Sequence, residues 1–129
     1  MGLDHKQFKS FTRKFQMMTK QYNSFLNDFL IKCAMECLAN TKKRTPVDTG
    51  ELRRNWFIGS VIKTGNDLTI HLYNAKDYAS YLEYGHTTRD REGWVEGYYM
   101  ATISIEELNR KIPKRLEREF VKFVNSLGI

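Results

Sequence analysis

The side chains able to do chemistry are few and poorly grouped. Cys33 and Cys37 stand four residues apart, a spacing that puts two thiols on one helix face. Two thiolates begin a metal site, but no other cysteine completes it, and His5, His71 and His86 are scattered along the chain. The pair reads better as two small buried apolar side chains. Glu83, His86, Asp90 and Glu92 form the one cluster that invites an acid–base or metal reading. The last three fall in a charged, turn-rich stretch, His86 to Gly93, which is expected to be a mobile loop between elements. No nucleophile–base pair, phosphate-cradling glycine loop or metal-ligand spacing is present. Catalytic, cofactor and metal residues are therefore expected to be none.

Charge is more informative. The net charge is +6, unevenly placed. Residues 1–45 hold nine basic and three acidic side chains, residues 46–109 six and ten, and residues 110–129 six and two. Basic ends around an acidic middle suit nucleic acid or an acidic partner, and equally suit solvated helix faces or attraction between copies. No aromatic-interleaved ribonucleoprotein motif, zinc finger or helix-turn-helix pattern favours nucleic acid.

The chain has 129 residues, 41% hydrophobic and 28% charged, an ordinary globular composition for one domain. No run reaches the roughly 20 apolar residues that span a bilayer. The start, MGLDHKQFKSF, lacks an apolar signal core, so a reducing cytoplasm is expected.

The elements follow from periodicity. Phe8, Phe11, Phe15, Met18, Tyr22, Phe25 and Phe29 alternate spacings of three and four, and Cys33 and Cys37 extend the stripe. With no Pro or Gly in residues 3–45, one long helix is expected, capped by Asp4 with Gln7 and ended by Thr45-Pro46. A break near Gln21–Ser24 is the alternative. Such a rod exceeds what one small domain covers, so packing against something else, such as another subunit, is expected. The turn-rich segment Thr45–Gly50 and a short helical turn from Glu51 follow. Trp56–Ile62 and Leu68–Tyr73, joined at Thr64–Asp67, read as a hairpin. Asp77–Gly85 reads as a short helix capped by Asp77, with Gly85 in the left-handed position after it. Trp94–Met100 is a third strand or the approach to a helix. Apolar spacing from Met100 to Leu127 predicts a last helix, with Ser104 and Glu107 as a capping box and Pro113 kinking or splitting it. The sum is α+β: a long N-terminal helix over 1–44, then a core over 45–129 with a small antiparallel sheet built on a hairpin, a short helix and a C-terminal helix.

Three stretches in this order carry a resemblance: TPVDTGELRRNW at 45–56, YASYLEYGH at 78–86 and GWVEGYYM at 93–100. They resemble the tailed-phage neck or tail-component family named after gene product 10 of phage Hong Kong 97, across roughly residues 30–127. The matching positions are Thr45, Pro46, Asp48, Thr49, Gly50, Leu52 and Arg53, then Tyr78, Ala79, Glu83, Tyr84 and Gly85. Gly93–Gly97 departs from the proline-rich approach to the last helix that many members carry.

The resemblance implies a structural protein and no enzyme: a ring at the head–tail junction, as neck or tail-completion component, or a tail terminator at the tube end. Implied partners are copies of itself, the head-side connector, and tail-tube or tail-terminator proteins. DNA at most passes through the lumen, and no membrane or cofactor is involved. The implied location is the virion neck or tail, with assembly in the host cytoplasm. The expected contacts are Pro46, Asp48, Thr49, Arg53, Arg54, His86, Arg89, Arg91 and Trp94. Gly50 and Gly85 are assigned to backbone geometry.

Overall fold

The computed structural model describes residues 5–47 and 50–128, with side chains from position 19 onward. Helix α1 runs unbroken from His5 to Arg44, straight through the stretch where a break was the alternative. Its last turn carries Lys42, Lys43 and Arg44, whose charges oppose the negative end of the helix dipole. The expected cap at Asp4 lies outside the described residues. Pro46 follows and denies the chain another helical turn.

A four-residue helix, α2 (Glu51–Arg54), leads into strand β1 (Trp56–Ile58). Then come β2 (Ile62–Thr64), β3 (Asp67–Thr69) and β4 (Leu72–Asn74). The expected single hairpin is divided in two. β1 pairs with β4 and β2 with β3, both antiparallel. Trp56 faces Asn74 and Ile58 faces Leu72, whereas Ile62 faces Thr69 and Thr64 faces Asp67. The register thus slips by one between the ladders, because three residues, 59–61, oppose two, 70–71. That is a bulge, which bends the ribbon and increases its twist. Gly65, at φ 60, takes the first central position of the two-residue turn. Leu68, Ile70 and Leu72 are half-buried while Thr69, His71 and Tyr73 are exposed, as their alternation predicts.

Helix α3 (Ala79–Tyr84) follows, then β5 (Gly85–Thr87) paired antiparallel with β6 (Trp94–Glu96). The stretch expected to be a mobile loop is therefore a second hairpin. Its turn is tied inward: Thr88 N–H donates to Gly93 O at 3.0 Å and Arg91 N–H to Thr88 O at 2.9 Å. Asp90 Oδ1 accepts the Glu92 amide at 3.0 Å, and Thr88 Oγ1 accepts the Gly93 amide at 3.0 Å. Local side-chain acceptors have replaced solvent as partners for the turn's backbone.

Helix α4 spans Met100–Ser126 without division. Pro113 sits inside it at an exposed position, and its missing N–H leaves the carbonyl of Asn109 without a helical donor. α4 lies antiparallel along α1. Arg44 bonds Ser104 Oγ at 2.8 Å and pairs with Glu107; further along, Arg115 pairs with Glu36. Beyond that, Phe25 and Phe123 stack with centroids 4.8 Å apart, and Tyr22 meets Phe120 edge-on at 6.0 Å. Arginine pairing with Glu36 and Glu107 holds both carboxyls below the usual range.

Leu52, Trp56, Ala79 and Met100 form the core cluster, with Leu38, Leu72, Leu82 and Ala101 against it. It sits where the C-terminal end of α1 meets α2, β1, α3 and the start of α4.

Candidate functional site

The two halves of the family motif meet in space. The loop after α1 and helix α3 face each other across a groove of about 410 Å³, lined by Pro46, Gly50, Glu51, Leu52, Tyr78, Leu82 and Tyr98.

The first wall is anchored through α1. Thr41 Oγ1 donates to Cys37 O at 2.8 Å, and Thr45 Oγ1 donates to Thr41 O at 2.7 Å. Thr45 Oγ1 then accepts the Trp56 indole N–H at 2.8 Å. Both threonines are fully buried, so this relay satisfies hydroxyls that would otherwise be costly to hide. Arg53 Nη2 donates to Thr45 O at 3.0 Å, which closes the loop back on itself. Gly50, at φ 78, makes the left-handed turn into α2. Lys76 pairs with Glu51 and draws its carboxyl below the usual range.

The second wall is organised by Glu83, which is 5% exposed. Its Oε1 accepts the Ala101 amide at 3.0 Å; its Oε2 accepts the Thr102 amide at 2.9 Å and the Thr102 hydroxyl at 2.7 Å. A carboxylate on α3 thus caps α4 from outside, where free amides and the helix dipole favour negative charge. The backbone between them wraps the end of α3. Tyr98 N–H reaches Leu82 O at 2.7 Å and Tyr99 N–H reaches Glu83 O at 3.0 Å, with Tyr99 left-handed at φ 51. Two glycines permit the approach. A Cβ on Gly85 would stand 2.5 Å from Val95 O, and one on Gly97 would stand 2.7 Å from both Gly85 N and Tyr84 C.

Several expectations are corrected here. Glu83, grouped in the sequence with His86, Asp90 and Glu92, instead caps α4, and Asp90 accepts bonds within its own turn. Asp77 does not cap α3, whose N-cap is Tyr78 with no side-chain bond. Gly85 has positive φ 93 but ψ 175, an extended glycine-only conformation and not the helical left-handed one. Ser104 and Glu107 form no capping box, because α4 begins at Met100. Ser104 instead bonds back to Met100 O at 2.7 Å, and both side chains receive Arg44.

The proposed contacts fall in two places. Pro46 lines the groove and Arg54 is exposed on α2. Arg53 is half-buried, and its Nε is buried without a partner. Asp48 and Thr49 lie outside the described residues. Arg89, Arg91 and Trp94 are exposed on the β5–β6 hairpin, and His86 sits edge-on to the Tyr81 ring at 5.9 Å. Around them Tyr78, Tyr81, Tyr84, Trp94 and Tyr98 are each at least 41% exposed. Sequence reading missed this aromatic surface, although YASYLEY and WVEGYY announce it in composition. Cys33 and Cys37 are buried and free, and burial raises both thiol pKa values. Among the described residues no three His, Cys, Asp or Glu side chains gather as a metal site, and no helix is long and apolar enough to cross a membrane.

Comparison with known proteins gives one family, described as "Bacteriophage HK97-gp10, putative tail-component", matching residues 9–85. No curated protein and no solved structure matches significantly. The matched span includes most of α1 and ends at Gly85, so it holds every residue lining the groove except Tyr98, but not the β5–β6 turn or α4. It covers more than half of the sequence and contains, of the three stretches on which the resemblance rested, the loop and nearly all of the α3 stretch: the chain belongs to the HK97-gp10-like family of phage tail components.

Proposed function

We propose that this chain is a ring-forming structural subunit of the head–tail junction, acting as a neck or tail-completion component and not as an enzyme. The observation that carries the reading is unfinished burial. A monomer of this mass is expected to expose about 7,100 Å². This chain exposes 10054 Å². The excess is of the size that stable subunit interfaces remove. Among the described residues only seven hydrophobic side chains are buried, four of them Cys or Ala. All three ladders are two-stranded, so every described strand has an open edge. A fold this open is completed by neighbours, and head-to-tail contacts that close on themselves make a ring.

The basic ends and acidic middle supply attraction between successive copies. The head-side connector, tail tube or tail terminator would then meet the faces of the ring, with DNA at most crossing its lumen. Pro46, Arg54, Arg89, Arg91 and Trp94 are the contact residues to test. Reversing exposed Arg89 to Glu, or truncating Trp94 to Ala, is expected to leave the chain folded and block the joining of heads to tails in a complementation assay. Normal yields of joined particles from both variants would remove these residues from the interface.

A further inference from the structure

A second, more apolar groove runs along α1, and the same chain carries a segment suited to fill it. Leu30 and Cys33 of α1 form its floor, Ile58 and Ile70 of the hairpin one wall, and Ile105 and Leu108 of α4 the other. It holds about 360 Å³, and His71 is the one ionisable residue of the hairpin or α4 that lines it. The hairpin and α4 lean on α1 from two sides and leave the space between them open.

The elements flanking α1 stop together. The hairpin tip at Asn66 borders Asn23 and Ser24, and the end of α4 at Ser126 borders Gln21 and Ser24. α1 continues beyond that level to His5. Sixteen residues at 1.5 Å each make an overhang of about 24 Å. Within the chain, Tyr22 and Phe25 of the seam are covered by Phe120 and Phe123, and Phe29 packs against Phe25. The sequence continues that seam at the same spacing through Phe8, Phe11, Phe15 and Met18, past the point where α4 ends. Residues 5–20 carry five Lys or Arg and no acidic side chains, and the groove is lined by no Lys or Arg side chain that would repel them.

We infer that the N-terminal overhang of α1 from one copy seats in the α1–hairpin–α4 groove of the next. The occupant is a second copy of this chain, because apolar stripe and open groove are both present in one polypeptide whose exposed surface exceeds a monomer's by the area a subunit interface removes. A head-to-tail contact of this kind leaves each copy with one filled groove and one donated helix, the arrangement a closed ring repeats. The inference rests on the ring reading and names the joint within it.

The test uses the full chain. Light scattering coupled to size exclusion is expected to show a multiple of 15.3 kDa for the parent, and a single-chain mass for Ile105→Glu and for Phe11→Glu/Phe15→Glu. Ile105 is 41% exposed, so its substitution leaves the monomer's fold intact in circular dichroism. A photo-crosslinking residue at position 15, in a mixture of ordinary and isotopically heavy chains, is expected to yield mixed-isotope links to residues 30–37, 58–72 or 105–112. A parent that is monomeric at every concentration overturns both this joint and the ring. A stable oligomer that survives Ile105→Glu, or whose position-15 links avoid the groove, overturns the joint alone.

Discussion

Replacing Glu83 by Ala tests how α3 and α4 are fastened together. The carboxylate is buried and takes three hydrogen bonds from the first turn of α4, two of them backbone amides at 3.0 and 2.9 Å. Loss of a helix N-cap costs about 1–2 kcal/mol. A hydrogen bond to a charged group contributes about 1.5–3 kcal/mol, and the amides left behind are half-buried donors that lose these partners. The terms overlap, so the expected loss is about 3 kcal/mol. For a chain of this length that lowers the melting temperature by about 10 °C. Glu83→Gln keeps an acceptor oxygen but not the charge, and should lose roughly half as much. Thr102→Val removes the 2.7 Å hydroxyl bond alone and should cost about 1 kcal/mol, with a sub-additive double mutant because both act on one site. Calorimetry at fixed protein concentration reads all four variants, since assembly would otherwise shift the midpoint. A Glu83→Ala midpoint within about 2 °C of the parent would refute the capping argument.

The same physics gives three further expectations. Gly85→Ala and Gly97→Ala each drive a Cβ into backbone and should destabilise by at least about 2 kcal/mol in urea melts, whereas Gly50→Ala meets only the mobile end of Arg54 and should cost about 1 kcal/mol. Glu36 and Glu107 have lowered folded pKa values, so their contribution is full above the unfolded value of about 4.3 and fades as pH falls through the folded one. Glu36→Gln should therefore flatten the stability–pH profile below about pH 4.3, and an unchanged slope would remove Glu36–Arg115 from the account. Burial raises the Cys33 and Cys37 pKa values, so native alkylation at pH 7 should be far slower than after unfolding; equal rates would place both thiols at the surface.

The helices were legible because their signals are local: unbroken apolar spacing from Phe8 to Cys37, then a proline at 46. Alternation likewise placed Leu68, Ile70 and Leu72 on one face. What escaped was set by partners far along the chain. No local cap marks the start of α4 at Met100, because its cap is Glu83, and Ser104 with Glu107 therefore imitated a cap five residues after the N-cap position Tyr99. The bulge opposite Ile70 and His71 needs both strands to be seen at once. Gly97 is required only because Gly85 passes beside it. Pro113 looked disruptive because a sequence does not say which face meets water. The site was legible as motif, in Thr45–Arg53 and Tyr78–Gly85, but much of the motif proved to be fastening: Thr45 holds Trp56, and Arg53 holds Thr45. The exposed aromatic face on α3 and β6 carries no spacing signature and emerged only from the fold.

The central claim is that this chain completes its burial in a ring within the particle. Quantitative mass spectrometry of purified particles, measuring its copy number against the portal and tube proteins, tests that claim most directly. The account predicts a fixed, ring-sized number of copies per portal. Absence from particles, or a copy number that scales with the tube, would contradict it.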